Sequence, residues 1–82
     1  MVWTYAHTGL EHDGALVGGA DIWALDWVRA PGERARLPNP EQRDRVLTYE
    51  VYDVVDEEGR TIRFAAARLS PSVFAFYWWR ER

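Results

Sequence analysis

The amino-acid sequence predicts a small, mostly-β domain built as a five-stranded antiparallel sheet or a half-open barrel. Three observations lead to this prediction. The chain has 82 residues, which is enough for one domain only. Its bulky residues recur mostly with the two-residue period of a strand, and glycines and prolines separate these runs. Hydrophobic residues make up 48% of the chain and charged residues 28%, a composition that excludes a disordered chain.

The first strand and the loop after it are predicted from an alternating run followed by glycines. Residues 2–8 (VWTYAHT) alternate bulky and small side chains, which places Trp3, Tyr5 and His7 on one face of a strand. Residues 9–19 then contain four glycines around a charged tip, which is typical of a turn or a long hairpin loop.

A second strand is predicted over residues 21–29, because large apolar residues recur there at every other position. It carries Trp23, Leu25 and Trp27 on one face. The other face is apolar as well, with the exception of Asp26. This strand therefore needs cover on both faces.

A proline-rich segment interrupts the pattern over residues 30–44, which hold three of the four prolines. Asn39, Pro40 and Gln42 resemble the start of a helix, with Asn39 as the N-cap and Pro40 as the first helical residue. We therefore expect one short helical turn near residues 40–44.

Two interpretations are open for the residues that follow. Residues 46–55 (VLTYEVYDVV) are rich in β-branched and aromatic side chains, which favours a strand. Apolar residues at helical spacing, with Gly59 as a C-terminal cap, instead favour a helix over residues 40–58. That helix would give an α+β fold in which it packs on a four-stranded antiparallel sheet.

The last two strands are predicted on either side of Ser70-Pro71. Residues 56–60 (DEEGR) have the composition of a hairpin loop, with a glycine for the tight turn. Residues 61–69 and residues 72–80 then alternate as strands.

The final strand is apolar on both faces, unlike a strand of a sheet with one solvated face. Phe74, Phe76 and Trp78 lie on one of its faces, and Tyr77 and Trp79 lie on the other. Three solutions are open to the chain: the sheet curls into a barrel, the long loop folds over one face, or another molecule provides the cover.

The surplus of aromatic residues predicts an interaction surface. The chain has five Trp, four Tyr and three Phe, and Trp, Tyr and Arg dominate the energetics of protein interfaces. We therefore expect a small non-catalytic binding or accessory protein that docks on a protein partner, or on itself as a homo-oligomer. The residues expected to bind are Trp23, Trp27, Tyr77 and Trp79, with Arg29, Arg34 and Arg36 at the rim.

The basic residues, all ten of them arginine, support an alternative function. Residues 29–45 hold five: Arg29, Arg34, Arg36, Arg43 and Arg45. If the last two strands lie beside this segment, the patch is extended by Arg63, Arg68, Arg80 and Arg82. Such a patch is typical of a small barrel that binds single-stranded nucleic acid. The net charge of −3 argues against it, and pairing with Glu33, Glu41 and Asp44 on a solvated loop is the simpler interpretation.

A further alternative is a small enzyme with a metal site or an acid–base site. Two histidines and two carboxylates lie close together in the sequence: His7, Glu11, His12 and Asp13. They hold donor atoms for a divalent metal, but their spacing matches no metal motif, and a solvated turn is the simpler interpretation.

Asp26 and Asp53 are the candidate acid–base carboxylates. Asp26 stands on an otherwise apolar strand face, where burial would favour its protonated form. Either carboxylate can instead pair with Arg63 or Arg68 from a neighbouring strand, and a structural ion pair is the favoured interpretation. The chain has no cysteine, no Gly-x-Ser-x-Gly motif and no phosphate-binding glycine loop. We therefore predict no catalytic residue, no metal and no cofactor.

Neither a membrane nor a secretory route is predicted. No apolar run approaches the roughly 18–20 residues that span a bilayer. Residues 1–7 lack the basic flank and the apolar core of a secretory segment. We expect a cytoplasmic protein with no membrane partner.

Overall fold

The computed structural model describes residues 1–81 and consists mostly of strands. In chain order they are β1 (Val2–Leu10), β2 (Leu16–Val17), β3 (Ala20–Asp21), β4 (Val28–Asn39), β5 (Gln42–Val55), β6 (Thr61–Ser70) and β7 (Val73–Arg80). Five of them form an antiparallel sheet in the order β1-β7-β6-β5-β4, whereas β2 and β3 pair only with each other. The mostly-β, five-stranded antiparallel architecture is confirmed. The sheet is not closed into a barrel, because β1 and β4 lie at its two edges and do not pair.

The predicted strand over residues 21–29 is wrong. A 3-10 turn forms at Ile22–Ala24, and the chain enters β4 only at Val28. The Asp21 carboxylate accepts a hydrogen bond from the Trp23 amide at 3.0 Å and caps the start of this turn. Alternation of apolar residues does not distinguish a strand from an irregular segment that lies across a sheet.

The proline-rich segment also differs from its prediction. No helical turn forms near residues 40–44, and the alternative helix over residues 40–58 is absent. Instead, β4 and β5 form one long hairpin, in whose turn the Asn39 side chain accepts a hydrogen bond from the Glu41 amide at 2.9 Å. The expected helix start at Asn39-Pro40 is a turn, because the same side-chain cap stabilises both structures.

A bulge in β1 changes the face on which its second half lies. Tyr5 is opposite Tyr77 and His7 is opposite Phe76, so Ala6 has no residue opposite it. The extra residue inverts the alternation and moves His7 to the opposite face from Trp3 and Tyr5. The expectation that these side chains share a face is wrong, because alternation in the sequence does not reveal a bulge.

One face of the sheet, here called the covered face, lies under residues 11–27. This segment leaves β1 at one edge of the sheet and enters β4 at the other edge. It packs Val17 and Ile22 into one cluster with Phe64 and Phe76, and all four residues are at most 1% exposed. Burial of each such side chain contributes about 1.5–3 kcal/mol relative to exposure. The long loop therefore provides the cover that this face needs.

The opposite face, here called the concave face, lies under the tip of the β4–β5 hairpin. The ladder between β5 and β6 ends at Glu50 and Ala66, and beyond this pair β5 pairs only with β4. The tip reaches Tyr77 on β7, whose hydroxyl donates to the Pro38 carbonyl at 2.8 Å. The Tyr49 hydroxyl donates to the same oxygen at 3.0 Å. Tyr77 thus holds the hairpin tip against β7, whereas Tyr49 joins the two strands of the hairpin to each other.

A bulge in β4 accompanies the bend of the hairpin. The residues that lie opposite Arg29 and Arg34 on β5 are only two positions apart, so residues 30–33 of β4 bulge out of the ladder. Gly32 has a φ of 71° there, a conformation that other residues rarely adopt.

Small side chains allow the hairpin tip to approach the sheet. Ala65 and Ala75 are fully buried on the concave face, and Ala67 packs beside them. Leu37 and Leu47 of the hairpin belong to the same cluster. Larger side chains in place of the alanines would overpack this region and separate the hairpin from the sheet.

We expect Tyr77→Phe to loosen the hairpin tip, because the Tyr77 hydroxyl donates the hydrogen bond that joins the tip to β7. Loss of this bond should lower the free energy of unfolding by about 0.5–1.5 kcal/mol, as measured by denaturant unfolding. It should also speed amide hydrogen exchange around residues 35–49. The control is Tyr52→Phe, since the Tyr52 hydroxyl makes no hydrogen bond within residues 1–81. Equal exchange rates in the two variants would contradict this role of Pro38 and Tyr77.

Candidate interaction surfaces

Two of the predicted binding residues, Trp23 and Trp27, belong to the segment that crosses the covered face. Their ring centres lie 5.1 Å apart. Trp27 makes an edge contact with Phe64 at 5.1 Å, and Trp23 makes one with Phe76 at 5.5 Å. The Trp27 indole N–H also donates to the Ile22 carbonyl. Both side chains are half-buried against the core, and their rings hold the crossing segment on the sheet.

The other two predicted aromatic residues, Tyr77 and Trp79, lie on the concave face. Tyr77 is only 8% exposed. Trp79 is half-buried, with its ring in an edge-to-face contact with Trp3 at 5.0 Å. Of the four predicted aromatic residues, two therefore lie over the covered face and two on the concave face. Their part in binding stays a prediction.

The three predicted rim arginines lie together on β4, on the side of the covered face. Arg29 and Arg34 hold the Glu50 carboxylate between them, with nitrogen–oxygen distances of 2.6 and 3.3 Å. Arg36 lies opposite Thr48 and makes no ion pair within residues 1–81. The arginine part of the predicted surface is therefore one cluster.

The ion pairs expected between the rim arginines and Glu33, Glu41 or Asp44 do not form within residues 1–81. Glu33 instead binds Arg63, with a nitrogen–oxygen distance of 2.9 Å. Glu41 and Asp44 make no ion pair in the described part of the chain. The pairing of β4 with β5 decides this, since it brings the Glu50 carboxylate beside the rim arginines.

Of the arginines predicted to extend the patch, Arg68 lies on the same face. Its guanidinium is 4.5 Å from the centre of the Phe74 ring. Arg80 lies 4.8 Å from the centre of the Trp78 ring, at the far end of β7. Arg82 lies outside the described residues.

The ion pair predicted for Asp53 is confirmed. Arg63 donates to both oxygens of the Asp53 carboxylate, at 2.8 and 3.1 Å, and its third nitrogen reaches Glu33. The hydrogen bonds from Arg63 hold the pKa of Asp53 below its usual range. Asp26, in contrast, is exposed. It makes no ion pair within residues 1–81, so the ion pair favoured for it is wrong, because the residues around it do not form a strand.

The histidines and carboxylates near the end of β1 form two separate pairs. His7 Nε2 lies 3.0 Å from Asp13 Oδ2, and this hydrogen bond holds the pKa of Asp13 below its usual range. His12 Nε2 lies 4.0 Å from Glu11 Oε1, and its ring centre is 5.3 Å from that of Trp23. Within residues 1–81, no three His, Asp or Glu side chains come together as metal ligands would. The bulge in β1 explains the first pair, since it turns His7 to the face that the loop crosses.

Sequence reasoning missed Asp56, a carboxylate that organises the turn between β5 and β6. It is 8% exposed and accepts hydrogen bonds from the amides of Arg60 and Glu58, at 2.8 and 2.9 Å, and from the Arg60 side chain at 2.9 Å. These bonds lower the pKa of Asp56, and the bond from the Arg60 amide has the largest effect. The signal was present in the sequence, because an aspartate that opens a glycine-containing turn commonly binds the backbone beyond it. The hairpin loop over residues 56–60 is confirmed.

The edge of the sheet formed by β1 is open and uncharged. Residues 1–10 contain no Asp, Glu, Lys or Arg. Met1, Tyr5 and Leu10 are 66%, 47% and 59% exposed. The bulge at Ala6 is the one interruption in the pairing of β1 with β7. A long edge with these properties is a template for pairing with another strand.

The opposite edge, formed by β4, is protected against such pairing. It contains Pro31 and Pro38, which have no backbone N–H to donate. The bulge over residues 30–33 interrupts its regular geometry. Arg34 and Arg36 add exposed charges to it.

A groove of about 330 Å³ opens where β5 and β6 separate. The two strands are paired from the hairpin loop as far as Glu50 and Ala66, and beyond this pair they form no ladder with each other. The groove lies between the free parts of both strands. Its lining includes Leu47, Thr48, Ala66, Ala67, Arg68 and Phe74.

Sequence reasoning identified neither the free edge nor the groove. The lack of charge in residues 1–10 is visible in the sequence, but it indicates an edge only when the strand order is known. The groove depends on where the β5–β6 ladder ends, and no local pattern encodes that position.

Comparison of the chain with protein-family models, with curated proteins and with solved structures found no match. In the described part of the chain, no helix has the length and apolar character needed to cross a membrane.

We expect Asp56→Asn to reduce stability at neutral pH more than at acidic pH. The pKa of Asp56 is lower in the folded protein than in the unfolded chain, so its ionised form stabilises the fold above the unfolded pKa of about 3.9. That contribution is lost as the pH falls through the folded pKa. Denaturant unfolding at about pH 7 and about pH 3 should therefore show a smaller difference between variant and wild type at the lower pH.

The control for this measurement is Asp26→Asn, which removes an exposed carboxylate that accepts no hydrogen bond within residues 1–81. It should change stability little at either pH. A difference for Asp56→Asn that stays constant or grows on acidification would show that the carboxylate charge does not stabilise this turn.

Proposed function

We propose that this chain is a non-catalytic binding protein that associates with a second copy of itself through the free edge of β1. The observation that supports the proposal is the contrast between the two edges of the sheet. β1 is a nine-residue edge strand with exposed apolar side chains and no charged residue. β4 carries prolines, a bulge and arginines, which discourage pairing. An unpaired strand edge forms main-chain hydrogen bonds with a strand added to it.

A second copy of the chain can pair with this edge along its length. Two β1 strands related by a twofold axis run antiparallel, so the start of one lies beside the end of the other. Because β1 contains no Asp, Glu, Lys or Arg, this arrangement places no like charges of the two strands opposite each other.

The protected β4 edge limits the assembly to two copies. A pair made through β1 on both sides is self-complementary and closes on itself. Growth beyond the dimer would need pairing at the β4 edges, where Pro31 and the neighbouring bulge prevent a regular ladder. A dimer is therefore the expected state. Pairing along one strand is a small interface, so the dissociation constant should be roughly micromolar.

Single-stranded nucleic acid has less support as the ligand. Such binding uses bases stacked on exposed aromatic rings. The rings of Phe74 and Trp78 each have an arginine over them, and those of Trp23 and Trp27 pack on each other and on the core. The exposed surface therefore offers more to a protein strand than to bases.

We expect Tyr5→Lys to convert the dimer to a monomer. Tyr5 lies in the middle of β1, so the change places two like charges near the centre of the proposed contact and should weaken the dimer at least about tenfold. Sedimentation velocity over a wide range of concentrations measures the change. Leu10→Lys, at the exposed end of β1, is a second variant in case the loss of the Tyr5–Tyr77 contact impairs folding.

The matched control is Val55→Lys, which adds the same charge at a residue that is 62% exposed but lies on an interior strand of the sheet. It should leave the dimer intact. A wild-type protein that sediments as a monomer at every concentration would refute the proposal. Dimers that persist in folded Tyr5→Lys and Leu10→Lys variants would place the contact elsewhere.

A further inference from the structure

We propose that the groove between β5 and β6 binds an extended peptide segment of a partner protein, and that a carboxylate of this segment is held by Arg68 and Arg36. The site is separate from the β1 edge, and its occupation does not depend on self-association.

The backbone of the groove favours an extended peptide. Residues 46–49 of β5 and residues 67–70 of β6 belong to strands, but they do not pair with each other. Their backbone N–H and C=O groups on the groove side therefore have no ladder partner within the sheet. An added extended segment supplies such partners, as in other cases where a peptide joins an open strand edge.

The lining of the groove suits apolar side chains of modest size. Ala66 is 5% exposed, and Ala67 and Leu47 are half-buried, so the groove has small and apolar walls. Phe74 closes one side of it. A volume of about 330 Å³ lies at the lower end of the range for ligand pockets, which fits a few side chains of a peptide rather than a large cofactor.

The positive charges around the groove favour the binding of a carboxylate. Arg29 and Arg34 share one acidic partner, Glu50, which also lines the groove. Arg36 and Arg68 have no acidic partner within residues 1–81. This part of the covered face therefore has four arginines and one carboxylate. A bound carboxylate would neutralise part of the excess positive charge.

Arg68 is held in position for this contact before any ligand arrives. Its guanidinium lies over the Phe74 ring and donates a hydrogen bond to the Pro71 carbonyl. Arg36 projects on the same face as Thr48, which forms part of the groove wall. An arginine that is already ordered loses less conformational entropy on binding.

The test begins with the full chain immobilised and exposed to a display library of random short peptides. Enriched peptides should contain an Asp or Glu flanked by β-branched or apolar residues. Fluorescence anisotropy then compares one enriched peptide with its Asn or Gln counterpart. The amide peptide should bind at least about tenfold more weakly, the effect of losing one charge-assisted hydrogen bond.

Four variants separate groove binding from attraction to a basic surface. Arg68→Gln and Arg36→Gln should each weaken the acidic peptide to a similar extent, and Thr48→Trp should block it by filling the groove without a change of charge. Arg80→Gln is the matched control, because it removes the same charge and a similar contact with an aromatic ring at the far end of β7. It should leave binding within about twofold of wild type. Circular dichroism verifies that each variant is folded.

Three outcomes would overturn the proposal. The first is a library without enrichment, or with enriched peptides that lack carboxylates. The second is a folded Thr48→Trp variant that binds like wild type. The third is displacement of the peptide by oligothymidylate with equal affinity, which would assign the groove to single-stranded nucleic acid. The Tyr5→Lys variant should bind the acidic peptide normally, so failure of the dimer and failure of the groove are distinguishable.

Discussion

A sheet that is apolar on both faces needs two covers, and the rest of this structure follows from that requirement. The loop over residues 11–27 lies across one face, and the β4–β5 hairpin bends over the other. The second cover depends on the Pro38 carbonyl, which accepts hydrogen bonds from Tyr49 and Tyr77. Burial raises the pKa of both tyrosines, which keeps their hydroxyls protonated and able to donate.

The groove is a consequence of the same bend. A hairpin that follows the concave face cannot continue in register with β6, and the ladder therefore stops at Glu50 and Ala66. The separation leaves unpaired backbone on both strands beside the arginine cluster. Packing of the core and opening of the groove are thus two results of one change in strand direction.

Local chemistry predicted the contacts whose partners are close in sequence or in adjacent strands. The hairpin loop over residues 56–60 and the Asp53–Arg63 ion pair are examples, since short hairpins place their side chains predictably. The rim arginines form one group because Arg29, Arg34 and Arg36 lie close together in the sequence, on one strand. The aromatic residues were misplaced, because Trp23 and Trp27 lie on a segment whose alternation imitates a strand.

The sequence by itself determined β1, β6, β7 and the need for cover on two faces, and it favoured a strand where β5 lies, because side-chain periodicity and β propensity are local properties. It placed a strand over residues 21–29 where none forms, did not predict β4 over its length, and could not locate the bulge at Ala6. Only the tertiary structure decided that β1 pairs with β7, that the β1 edge is open and that the β5–β6 ladder ends at Glu50 and Ala66. These features depend on contacts between residues far apart in the chain, and such contacts form only when the covers are packed in place.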